Sequence, residues 1–156
     1  MSIRSRVFAT CMALLLPLAV AAQDLTRLVT KADVEKAAAA KFDNPGKPMD
    51  GQIMFQQTGG GMQISVDVEK REGNASVRTW ESSIKKMRPA TKVDTIKGVG
   101  RDAIFHSTRA DMGALSADFE KPRVQLRVAV SGAKSPEHAQ QIVTDLAKAV
   151  GPRVGS

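Results

Sequence analysis

Two stretches of this chain alternate apolar and polar residues without a break. Met62, Ile64, Val66 and Val68 interleave with Gln63, Ser65, Asp67 and Glu69, and Val124, Leu126, Val128 and Val130 with Arg123, Gln125 and Arg127. Because successive side chains of a strand point to opposite faces, this period of two describes strands buried on one face and wet on the other. A slip of one residue would expose the whole apolar set, so the pairing register is tightly specified. Such half-buried strands belong to antiparallel sheets. Leu115, Ala117 and Phe119 alternate with Ser116 and Asp118 in the same way, which predicts a strand over Gly113–Phe119 in a hairpin with Arg123–Val130. Arg123 and Arg127 are expected opposite Asp67 and Glu69 as cross-strand ion pairs, each contributing only tenths of a kcal/mol, on the order of ~0.5.

Other elements are marked by their punctuation. Leu25 to Phe42 is alanine-rich; Thr30 and Asp33 suit a capping box, so the first helix is expected to start near Lys31, and Val34, Ala37, Ala38 and Phe42 form an apolar stripe ended by Asn44-Pro45-Gly46-Lys47-Pro48. Strands over Gln52–Gln57 and Met62–Lys70 flank the glycine turn Thr58–Gly61. Val77, Trp80, Ile84 and Met87 recur at helical spacing before Pro89. Short strands are expected over Val93–Ile96 and Ala103–Ser107, around the turn Gly98-Val99-Gly100. The closing helix has Ser135 as cap, Pro136 in its first position and Glu137 at its positive end, with Gly151-Pro152 as terminator. Its buried stripe is Ala139, Ile142, Val143, Leu146 and Val150. The predicted class is α+β: an antiparallel sheet of five to six strands with three packed helices on its apolar face.

The amino terminus reads as an export leader. Arg4 and Arg6 precede an apolar run from Val7 to Val20, and Val20-Ala21-Ala22 offers small residues for cleavage before Gln23, with Ala19-Val20-Ala21 as an alternative. The run is shorter than the roughly 20 residues that span a bilayer, so no stable membrane anchor is expected. The expected organisation is a signal peptide over 1–22 and a single α+β domain over 23–156, periplasmic or secreted. Cys11, the only cysteine, would leave with the leader, and its place early in the apolar run does not suit lipid attachment. Cleavage leaves 134 residues with 21 basic and 16 acidic side chains, a net charge of +5. A chain of that size can bury a core without disulfides.

The order helix, hairpin, helix, strands and final helix, with the turn Gly98-Val99-Gly100-Arg101-Asp102-Ala103, resembles small exported bacterial domains of Mog1/PsbP-like layout. The resemblance implies a binding or assembly module, and it carries no functional residue over.

Chemistry-bearing constellations are sparse. Without cysteine, His106 and His138 do not make a zinc site. Met49, Met54, Met62, Met87 and Met112 are soft ligands suited to Cu(I), although Met62 and Met87 fall on apolar stripes. There is no Gly-x-Ser-x-Gly nucleophile elbow, and Asp67 and Glu69 sit where solvated charges are the rule. The glycine runs lack the lysine and hydroxyl of a phosphate loop. Asn74-Ala75-Ser76 matches a glycosylation acceptor, which has meaning only in a eukaryotic secretory pathway.

What stands out is basic: Lys85, Lys86, Arg88, Lys92, Lys97 and Arg101 fall within 17 residues interrupted by one acid, Asp94. These six are the candidate partner-binding residues, facing a protein or an anionic surface. Nucleic acid is not expected, because one Trp, no Tyr and four Phe after the leader leave no stacking platform. The expected function is therefore a non-enzymatic module binding a protein partner, such as an inhibitor, immunity or assembly factor, with no cofactor. A small-ligand or copper carrier is the alternative, and a hydrolase ranks below it.

Overall fold

A computed structural model describes residues 24–71, 76–88 and 91–154. The expected leader over 1–22, Pro89 and the first two residues of the Asn74-Ala75-Ser76 tripeptide lie outside the described residues. The chain is α+β. Its elements are α1 (Leu25–Leu28), α2 (Lys31–Ala38), β1 (Gln52–Gln56), β2 (Gln63–Lys70), α3 (Val77–Met87), β3 (Lys92–Ile96), β4 (Asp102–Arg109), β5 (Met112–Phe119), β6 (Val124–Ser131) and α4 (Pro136–Val154). All six strands form one antiparallel sheet in the order β1-β2-β6-β5-β4-β3.

The alternation sorts the core as expected. Ile53, Phe55, Ile64, Val66, Leu115, Leu126 and Val128 are buried on one sheet face, against Ile142, Val143, Leu146 and Val150 of α4. α2 packs on the outside of α4. The hairpin glycines Gly59, Gly60 and Gly61 all have positive φ, so the turn uses the freedom the sequence offers there.

The first helical segment is shorter than its apolar stripe and comes in two pieces. Thr30 and Asp33 do form the capping box, which starts α2 afresh after α1. α2 stops at Ala38 because Ala39 turns left-handed at φ 50° and the Glu35 carboxylate accepts the Phe42 N–H at 3.1 Å. Phe42 is buried outside the helix, bridging to Gln57.

At the other end, Gly151-Pro152 does not terminate α4. A helical proline loses one backbone bond and crowds the preceding turn, which sequence rules read as a stop. Here tertiary contacts override that cost. Val154 is fully buried, and Arg153 donates to the Leu28 carbonyl at 2.7 Å and to both oxygens of Asp33 at 2.7 and 2.9 Å. This ion pair, helped by the Thr30 cap, holds the Asp33 carboxyl well below the usual range.

α3 lies on the opposite face from α4. The Asp118 carboxylate accepts the Val77 N–H at 2.9 Å, and Trp80 meets His106 edge-on at 4.8 Å. Asp118 and His106 alternate with Ala117 and Phe105, whose side chains face α4. Val77 and Ile84 are buried, as the helical spacing predicts, but Met87 is 73% exposed because it falls at the last turn of α3. α3 covers the β4–β5 half of this second face. The other half exposes Met54, Gln56, Glu69 and Arg127. Among the described residues, no helix is long and apolar enough to cross a membrane.

Candidate protein interface

The two edges of the sheet are treated differently. Along β1 the segment before it supplies partners: Phe42 bridges Gln57, the Asp43 N–H donates to the Gln56 carbonyl at 2.9 Å, and Met49 and Gln52 exchange backbone bonds. β3, by contrast, pairs with β4 alone, and among the described residues nothing else bonds its outer side. An unpaired edge is a row of backbone donors and acceptors able to take another strand.

Beside this edge runs a shallow cleft of about 610 Å³. Thr95, Ile96 and Lys97 form one wall, and Gln140, Thr144 and Lys148 of α4 stand on the other. Ile96 packs on the core opposite Ala103, whereas Thr95 is exposed. The Thr144 hydroxyl is sealed from water and has no hydrogen-bond partner among the described residues. Glu137 closes one end by receiving Lys92 Nζ at 3.2 Å, and that bond raises the lysine's pKa.

The six sequence-predicted cations do not make one cluster. Lys85, Lys86 and Arg88 cap the C-terminal end of α3, where cations favour the helix dipole. Lys92 begins β3 and Lys97 follows its end, about 16 Å further along an extended strand. They are strung along the approach to the open edge and the edge itself. Lys85 is engaged with Glu81 at 2.6 Å, an exposed pair of small energetic weight. Lys86, Arg88 and Lys97 are exposed.

Arg101 belongs elsewhere, in an ion cluster that sequence reading missed. Asp118 is fully buried and accepts from Arg71 at 3.0 Å, from Gln125 at 3.2 Å and from the first amide of α3. Glu120 pairs with Arg71 at 3.1 Å and with Arg101. Asp102 receives Arg101 at 2.8 Å and Arg78 at 2.7 Å. The Arg101 amide also donates to the Asp118 carbonyl at 2.8 Å. The cluster thus pins three things together: the start of α3, the turn after β3 and the end of β5. An ion pair this deeply buried has its desolvation offset only while both partners remain. Alternation marked Asp118 as a wet position, and Arg71 and the first amide of α3 reach it from distant segments.

The other candidates disperse. Asp67 does face Arg127 across the ladder, but Gln125 stands opposite Glu69, and Arg123 accepts from the Arg71 amide through its carbonyl. Burial raises the Asp67 carboxyl's pKa, with Arg127 opposing. Met62 is buried, while Met54 and Met112 lie three strands apart on β1 and β5, about 14 Å at strand spacing. Among the described residues no group of three or more His, Cys, Asp or Glu is placed to hold a metal ion. His106 sits beneath Trp80 with its Nδ1 buried and unpartnered among the described residues, and burial lowers its pKa, with Arg127 adding to the effect. His138 starts α4, where its ring accepts the Lys134 N–H at 3.2 Å.

No protein-family model matches the chain, and no curated protein or solved structure matches it significantly.

Proposed function

We propose that this chain is an exported, non-enzymatic binding module of the bacterial envelope that takes an extended, acidic segment of a partner protein against the outer edge of β3. The observation that carries the reading is the open edge of β3 beside its cleft, while the β1 edge is already covered. A backbone edge is chemically complementary to another backbone, and strand addition supplies affinity through main-chain bonds with specificity from alternate side chains. The cleft walls are polar and shallow, which suits a peptide better than a small apolar ligand. Lys97 at the far end, with Lys86 and Arg88 on the approach, favours negative charge in the incoming segment, whereas Lys92 at the near end is already held by Glu137 at 3.2 Å and Asp94 at 3.6 Å. The export leader read from the sequence over 1–22 supports a partner in the periplasm or outside the cell, and the resemblance in element order to exported binding domains supports the same role.

A photo-crosslinking amino acid at Thr95 is expected to capture a partner in envelope extract, whereas the same group at exposed Gln56 on β1 captures none. The double reversal Lys92→Glu with Lys97→Glu should abolish the Thr95 adduct without unfolding the chain, as read by circular dichroism. Equal adducts at both positions, or an adduct indifferent to the charge reversal, would rule out this docking edge.

A further inference from the structure

At the C-terminal end of β3 the cleft runs on into a second, more enclosed pocket of about 360 Å³. Phe119, Ala147, Gly151 and Pro152 line it, and the turn Gly98-Val99-Gly100 forms its rim. Lys148 borders both the cleft and this pocket. The lysine stem lies over the turn: a Cβ added to Gly98 would stand 3.9 Å from Lys148 Cε. The turn has a fixed shape. Gly98 and Gly100 hold φ of 80° and 56°, and a Cβ on Gly100 would come within 2.4 Å of the Asp118 carbonyl oxygen. No side chain larger than hydrogen fits there. The amides of Gly98, Val99 and Gly100 take no hydrogen bond among the described residues.

A pocket walled in part by Phe119, Ala147 and Pro152, three turn amides without a hydrogen bond among the described residues and an ammonium group together suit one kind of chain end. We infer that the pocket receives the carboxyl terminus of the partner, with an apolar last side chain inside and the terminal carboxylate held by the turn amides and Lys148. The inference rests on the strand-docking reading above and gives it a direction. A chain end at the turn must run parallel to β3, because β3 itself runs toward Gly98. The antiparallel alternative would bring a terminal ammonium group to Lys97 and Lys148, where like charges repel. Capture of a carboxylate by successive backbone N–H groups is an established mode of peptide recognition.

The test uses the full chain and two libraries of random octapeptides, biotinylated at the amino terminus, one with free carboxyl termini and one with carboxamides. The expected result is enrichment from the free-acid library alone, with an apolar last residue and acidic residues before it. Amidation of a selected peptide should weaken binding at least tenfold. Lys148 is exposed, so Lys148→Glu should keep the fold and weaken the acid form by a similar factor, with a smaller loss for the amide form, because Lys148 also walls the cleft. Peptides that bind equally as acid and amide, and that compete with crosslinking at Thr95, would overturn the carboxylate inference yet leave strand docking standing. Silence from both libraries, with no Thr95 adduct from envelope extract, would remove both readings.

Discussion

At the scale of single residues, the strand expected over Ala103–Ser107 included His106, but nothing in the sequence announced that Trp80 would cover it. The covering decides its protonation. Burial, with Arg127 adding its charge, lowers the folded-state pKa below the usual value near 6.5, and a backbone bond to Ala114 only partly opposes this. Trp80 on α3 brings no charge, and the nearby Glu81 and Lys85 neutralise each other. The unfolded chain therefore binds more protons at His106 as pH falls below about 6.5, so stability drops on acidification down through the folded value. Asp67 works in the opposite sense. Its raised carboxyl pKa contributes stability below about 3.8 that is lost as pH rises through the folded value. Between pH 7.5 and 5 the melting temperature is expected to fall by several degrees, and His106→Gln is expected to flatten that slope. An unchanged slope in the variant would assign the acid sensitivity to another group. The buried Asp118 was equally hidden, because alternation marks it as a wet position, whereas α3 and Arg71 arrive from distant segments to bury it.

At the scale of elements, the stripe Ala139, Ile142, Val143, Leu146 and Val150 was legible and is buried throughout, since helical spacing alone fixes which face of α4 meets a sheet. Where α4 ends was not legible. Gly-Pro is a stop signal only when the next turn has nothing to gain, and here that turn seats Val154 in the core and ties Arg153 to α2. Deleting residues 151–156, harmless if the helix stopped at Val150, is expected to cost about 3 kcal/mol. That figure combines the burial of one valine, roughly 1.5–3 kcal/mol, with a part-buried charged bond. The melting temperature should fall by about 10 °C in thermal denaturation. A loss under about 2 °C would show that the last turn adds nothing to the fold.

At the scale of the whole molecule, the sequence specified an antiparallel sheet because β2, β5 and β6 each carry their own alternation, and it specified neighbours wherever a short turn joins two strands. It could not specify that β2 pairs with β6, or that α3 crosses to the face opposite α4, because both depend on segments that meet only in three dimensions. The site suffered the same limit: six cations were visible as a run, but the open edge along which Lys92 and Lys97 lie exists only once the strand order is known. Such an edge invites pairing with any strand, including that of a second copy, and lysines are a common guard against this. Replacing both, as Lys92→Val with Lys97→Val, is expected to produce species that sediment faster as concentration rises, while the unsubstituted chain does not. Adding Asp94→Pro or Thr95→Pro, whichever residue turns its N–H outward, should reverse the association, because proline cannot donate the pairing bond. If the valine variant sediments like the parent at every concentration, β3 is closed to strands by something other than charge, and a partner segment could not dock there either.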